Sequence, residues 1–119
     1  MPNPVVSWQI IATDADAVAG FYRDLFGWQL STDNALRYRE LRSGGGRGID
    51  GGVWPAPPEA HTFVQLLVEV EDIDATIAKA SAQGARVVVP KSVLPDGDAM
   101  AVLVDPTGLA FGICTRAGA

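Results

Sequence analysis

The stretch VVSWQIIATDADAVAGFYRDLFGWQLS, residues 5–31, decides the fold, because the same plan returns as FVQLLVEVEDIDATIAKASAQGARVVV, residues 63–89. Each copy opens on an apolar, strand-like run, Val5–Ala12 and Phe63–Val70. Each then carries an Asp-x-Asp-Ala start, Asp14-Ala15-Asp16-Ala17 and Asp72-Ile73-Asp74-Ala75. An aspartate at a helix N-cap accepts a hydrogen bond from free amides and meets the positive end of the dipole. Each helix is predicted to stop at a glycine, Gly27 and Gly84, because glycine takes the left-handed position after a helix at least cost. On the first helix Val18, Phe21, Tyr22, Leu25 and Phe26 follow the spacing of a buried stripe; on the second Ile73, Ile77 and Ala80 share a face.

Short strands are predicted after each helix. They are Trp28–Ser31, Leu36–Leu41 and Ile49–Val53 in the first half, and Val87–Val89, Met100–Val104 and Leu109–Thr115 in the second. Turn-forming stretches separate them, among them SGGGRG and DPTG. The proline-rich segment WPAPPEAH, residues 54–61, reads as a stiff linker. The pattern is βαβββ twice: one domain over residues 1–119, with modules at about 3–53 and 62–116. One helix cannot cover a module's sheet alone, so the modules are expected to pack together.

Composition narrows the classes. A chain of 119 residues with 48% apolar content can bury a core, which argues against disorder. The net charge of −5 argues against a nucleic-acid partner, which wants a basic face. No apolar run approaches the roughly 20 residues that span a bilayer, so no membrane association is expected. The start MPNPVVSW lacks a basic region followed by an apolar one, so no secretory signal is expected. The one cysteine fits a reducing cytoplasm.

Three stretches then carry a resemblance. FYRDLFGW after an N-terminal strand, VEDIDATIAKASAQGARVVVP, and VLVDPTGLAFGIC resemble the vicinal oxygen chelate superfamily, which includes glyoxalase I, bleomycin-resistance proteins and extradiol dioxygenases. GIDGGVWPAP and VVPKSVLPDGD look more narrowly like bacterial glyoxalase-like proteins. The resemblance covers nearly the whole chain. It implies an α+β fold of two βαβββ modules whose sheets form an open eight-stranded mixed-sheet cleft, with one helix behind each sheet.

The resemblance also implies where a metal would be held: on the first, fourth, fifth and eighth strands. Counting along the motifs puts those positions at Ser7, near Gly52 or Val53, at Gln65 and at Gly112. They offer a hydroxyl, no donor, an amide and no side chain, whereas a catalytic divalent metal wants at least three imidazole, thiolate or carboxylate ligands. The sole histidine, His61, is in the linker. No metal and no other cofactor are therefore expected. The glycine at 112, where metal-using relatives carry glutamate, leaves room for an organic ligand.

Strand alternation extends the list. If Ser7 faces the cleft, so do Gln9 and Ile11, while Trp8 and Ile10 pack toward the helix; if Gly112 faces it, so do Ala110 and Cys114. The candidate ligand-binding residues are Ser7, Gln9, Gln65, Gly112, Tyr38 and Trp54. Gln9 and Gln65 could orient a ligand or be hydrogen-bonded core amides. Tyr38 and Glu40 share one face of the third strand, and either face is open to them. Trp54 suits a rim where a planar ligand stacks, while Trp8 and Trp28 suit the core. Arg37, Arg39, Arg42 and Arg47 could take an anion or form a solvated hairpin. GGGRG, residues 44–48, lacks the Gly-Lys-Ser/Thr of a phosphate loop. Cys114 reads as a small buried hydrophobe. No catalytic acid–base pair can be assigned.

Three functions fit these residues. One is a metal-independent, homodimeric binding protein of the glyoxalase/bleomycin-resistance type that sequesters a small molecule. Another is a small-molecule isomerase, lyase or dioxygenase-like enzyme with an atypical site. The last is an accessory protein with a vestigial cleft.

Overall fold

The computed structural model describes residues 2–34, 38–43, 45–95 and 97–115. The elements run β1 (Val5–Ala12), α1 (Ala15–Phe26), β2 (Gln29–Ser31), β3 (Arg39–Arg42), β4 (Gly51–Pro55), β5 (Phe63–Glu69), α2 (Ile73–Ala82), β6 (Arg86–Val93), β7 (Ala99–Val104) and β8 (Ala110–Thr115). The expected α+β class and the doubled βαβββ order hold, with strands in both parallel and antiparallel pairing.

The helix ends form as their sequence dictates. Asp14 accepts from the Ala17 amide at 3.1 Å, and Asp72 accepts from the Ala75 amide at 2.9 Å. Gly27 ends α1 with φ 72°, and Gly84 follows the last turn of α2 with φ 96°. Both values lie in the left-handed region that favours glycine.

The chain divides into two compact units, Ser7–Gln65 and Met1–Val6 with Leu66–Ala119. Their borders fall inside β1 and β5, not in the 54–61 linker. One reason is visible in the backbone: the Glu69 amide donates to the Pro4 carbonyl at 2.9 Å, tying the first residues to the second half of the chain.

In the Ser7–Gln65 unit the strand order is β2-β3-β4-β1, with β1 and β4 parallel and the other pairs antiparallel. Its core joins Ala12, Ala15, Ala19, Leu41 and Val53, with Trp8, Ile10, Val18, Trp28 and Leu30 packed against them. The stripe expected on α1 is corrected here. Ala15 and Ala19 are buried, whereas Phe21, Leu25 and Phe26 are 59%, 59% and 56% exposed. The buried face is thus the small-residue one, a phase that lets the helix backbone lie close to the sheet. The larger side chains flank it, and Phe21, Tyr22, Phe26 and Trp28 contact one another ring to ring.

In the other unit the order is β5-β8-β7-β6. Val70, Ile73, Ala99, Ala101, Leu103 and Ile113 form its core, with Ile77 and Ala80 of α2 against it, the face expected for that helix. Strand β6 runs well past the predicted Val87–Val89, through Pro90 to Val93, and is exposed along its length. Its pairing with β7 shifts register on both sides of Val89, so Pro90 sits where the ladder is already interrupted. The KSVLPDGD stretch closes the β6–β7 hairpin, with the Leu94 amide donating to the Asp98 carbonyl at 2.7 Å.

Candidate functional site

The site grows from the register of three strands. Gln9 of β1 lies opposite Gly52 of β4, and Gly52 lies opposite Glu40 of β3. Residues directly opposite share a face, and alternation adds Ser7, Tyr38 and Trp54 to that face. Trp8, Ile10, Leu41 and Val53 lie on the reverse, in the core with α1. Arg39 also points that way, to Asp16 of α1 at 2.8 Å. The question left open by alternation is answered: Tyr38 and Glu40 join Gln9, not the helix.

Two adjacent glycines shape this face. A Cβ at Gly52 would meet the Tyr38 ring and the Arg39 carbonyl, and one at Gly51 would meet the Trp8 indole. One aromatic ring therefore rests on each side of β4, at positions where only glycine leaves space for it. Tyr38 in turn packs on Trp54, with ring centroids 4.5 Å apart. The strand predicted from Leu36 starts at Arg39, and Leu36 and Arg37 lie outside the described residues.

Hydrogen bonds tie the polar members. Gln65 Nε2 donates to Gln9 Oε1 at 3.0 Å, and both residues are buried, at 3% and 4% exposure. Among the described residues neither Gln65 Oε1 nor the Trp54 indole Nε1, both buried, has a hydrogen-bond partner. Ser7 Oγ donates to the Asp50 carbonyl at 2.8 Å. The 49–50 backbone is held from two further sides, because Trp8 Nε1 and Ser43 Oγ both donate to the Ile49 carbonyl.

Burial pushes the Tyr38 phenol well above its usual pKa; the Glu40 carboxylate adds to the shift, and a side-chain hydrogen bond with Ser7 offsets part of it. Tyr38 is therefore a neutral hydroxyl at any physiological pH. Arg42 pairs with Glu40 at 3.0 Å. The Arg cluster is thus divided: Arg39 turns toward α1 and Arg42 toward Glu40, while Arg47 lies in the exposed turn after β3.

Gly112 belongs to the other unit, where it is buried in β8 in register with Leu67 and Val102. Cys114 is buried two positions on. That unit also carries a groove of about 850 Å³, lined in part by Pro4, Glu69, Asp72, Thr76 and Lys79, none of them a candidate from the sequence. Its walls come from an N-terminal segment and a helix start far apart in the chain, so no local motif announces it.

A domain model described as "Glyoxalase-like domain" matches residues 6–114. The chain belongs to this glyoxalase-like family, within the vicinal oxygen chelate superfamily.

Glyoxalase-like relatives are found in mycobacteria. The protein named "Putative glyoxylase CFP32" is 31% identical over 110 residues in both Mycobacterium bovis and Mycobacterium tuberculosis, a match covering 89% of this chain. The chain spans only 42% of the length of those relatives. Among solved structures, a Bacillus halodurans protein, BH1468, is similar at a TM-score of 0.72 and 14% identity, covering 100% of this chain and 98% of that one. A methylmalonyl-CoA epimerase bound to methylmalonyl-CoA is similar at 0.65 and 18% identity, covering 99% and 97%. The Mycobacterium tuberculosis epimerase gives 0.62 and 18%, covering 94% and 87%. At these identities the structural likeness speaks for the fold alone.

The superfamily's metal-using members raise a test that the geometry can answer. Position 52 cannot carry a ligand while Tyr38 fills its space. Among the described residues no group of three or more His, Cys, Asp or Glu comes together. His61 lies exposed beside Phe63, with ring centroids 6.3 Å apart. The residues present do not fit the family's metal. Among the described residues, no helix of this glyoxalase-like chain is long and apolar enough to cross a membrane.

Proposed function

We propose that this chain is a metal-independent small-molecule-binding protein. Gln9 and Gln65 orient the ligand, and Ser7, Tyr38 and Trp54 complete the wall. The observation that carries this reading is the buried Gln9–Gln65 amide pair, whose Gln65 oxygen has no partner among the described residues. A purely structural amide pair would be expected to satisfy its buried atoms, because an orphan acceptor costs free energy. The neutral donor set at Ser7 and Gln65, and the Tyr38 ring over Gly52, support metal independence.

We further propose that the protein works as a homodimer in the cytoplasm. The exposed apolar side chains of α1 and the exposed valines of β6 support a second copy, since large apolar patches seldom remain in water.

The test pairs elemental analysis with native mass spectrometry of the purified chain. The expected result is a dimer with no stoichiometric transition metal and with affinity for small organic molecules that Gln65→Met removes. A tightly held zinc, nickel, iron or manganese ion would sink the metal-independent reading. Small-molecule binding untouched by Gln65→Met would sink the site.

A further inference from the structure

We infer that Pro90, Lys91 and Ser92 close the edge of β6 to a further strand, so that the chain exposes valines there without offering a template for sheet extension. This goes beyond the binding reading above and does not rest on it.

The strand calls for such a device. β6 is the outer strand of the order β5-β8-β7-β6, and all eight of its residues are exposed. Val87, Val88 and Val89, three β-branched residues in a row, are 41%, 53% and 43% exposed. An outer strand leaves one row of backbone N–H and C=O groups unpaired, and a long apolar one is a template on which another chain can add. Segments of high β-propensity and low charge are also the ones that stack between chains.

Three features oppose that addition. The backbone supplies one. Pro90 has no N–H, and its carbonyl already accepts from Ser92 Oγ at 3.0 Å. An arriving strand finds no donor at residue 90 and an acceptor already engaged. The register supplies another. β6 advances two residues for one on β7 between Val87 and Val89, and three for two between Val89 and Ser92. Such bulges bend and twist a strand, so a straight partner cannot follow it on both sides of Val89. Charge supplies the last. Lys91 Nζ holds Asp74 Oδ2 of α2 at 3.0 Å, and Arg86 stands at the other end of the valines. A strand laid along this edge would have to strip water from those charges. The run before Pro90, Arg86–Val89, is shorter than the about five or six residues of an ordinary strand. A second copy can pack against the valine side chains, but it does not continue the sheet.

Pro90→Val with Ser92→Val restores the missing N–H and frees the carbonyl. Sedimentation velocity of that variant and of the parent over a concentration series, with infrared spectra of the assembled fractions, provides the test. The variant is expected to form larger species at roughly tenfold lower concentration than the parent, with the infrared band of intermolecular sheet. Adding Val88→Lys should return it to the parent's behaviour. Circular dichroism establishes that each variant is folded. Should the first one not be, Lys91→Thr with Ser92→Val, which keeps Pro90, is read in the same way. A folded variant that assembles no more readily than the parent would overturn the inference. So would assembly that Val88→Lys leaves unchanged, or parent amides at 87–89 that gain protection from hydrogen exchange as the protein is concentrated.

Discussion

Tyr38 lies over Gly52, its phenol in the space that a side chain at position 52 would need. Of the two positions, Gly52 and Val53, near which metal-using relatives are expected to carry a ligand, one is filled by another residue's ring and the other is buried in the core. Glycine at 52 and tyrosine at 38 are one packing decision written at two places in the chain.

Gly52→Ala is expected to destabilise the fold by about 1–3 kcal/mol, the usual range for forcing an atom into a filled site. The added methyl meets the Tyr38 ring and the Arg39 carbonyl, and the backbone cannot step aside as a side chain can. Urea denaturation measures this. The Tyr38→Ala, Gly52→Ala double variant should recover part of the loss, because the ring is one of the two obstacles. A Gly52→Ala midpoint equal to the parent's would show that Tyr38 does not rest there.

The glutamine pair predicts a coupled loss. Gln65→Met alone strands the buried Gln9 amide and should cost about 1–3 kcal/mol, whereas Gln9→Met with Gln65→Met removes both partners and should cost less than the sum of the singles. A double-mutant cycle by equilibrium unfolding reads the difference. Strict additivity would mean that the two amides do not interact.

Gly84 closes α2 with φ 96°, and a Cβ there would also meet Pro106 Cγ at 3.3 Å. Gly84→Ala should lower stability by about 1 kcal/mol, since an L-residue resists that backbone region. Thermal melts of the two proteins decide it. An unchanged or raised melting temperature contradicts the assigned helix end.

The β7–β8 turn predicts a pH dependence. Asp105 Oδ1 accepts from the Thr107 hydroxyl at 2.7 Å, the Thr107 amide at 2.8 Å and the Leu109 amide at 3.1 Å. The Thr107 side chain, then the backbone amides, hold its carboxyl below the usual carboxylate range, against a smaller opposing effect of burial. A lowered folded pKa means stability that is fully present above the unfolded value, roughly pH 4, and is lost as pH falls through the folded one. The melting-temperature gap between parent and Asp105→Ala should therefore be constant near neutrality and shrink below about pH 4. A gap that stays constant into strong acid would exclude this role.

The doubled βαβββ order was legible because it rests on local signals: aspartates at helix starts, glycines at helix ends, and apolar runs between turns. Gln9 and Gln65 were legible as amides on the first strand of each repeat, where Ser7 is the equivalent of Gln65. The buried side of α1 was misread because side-chain size was followed where helical phase decides, and Ala15 and Ala19 are too small to stand out. The sheet face of Tyr38 needed Arg39 to find Asp16, a contact between residues 23 positions apart. Glycine inside a strand is a sign of close approach, and it stands twice over at Gly51 and Gly52. There the rings of Trp8 and Tyr38 are what comes close.

The bond between the Pro4 carbonyl and the Glu69 amide has a consequence for the order in which the protein can be made. A ribosome releases the N-terminus first, and folding units complete as their last residues emerge. Residues 7–65 have all their own unit's partners once Gln65 is out. The segment before them belongs to the other unit and must stay unpaired until a stretch beginning some sixty residues later has been synthesised. Residues 2–6 are thus made before residues 7–65 and fixed in place after them. Bulk attached just ahead of Pro4 would press on the later-translated of the two units.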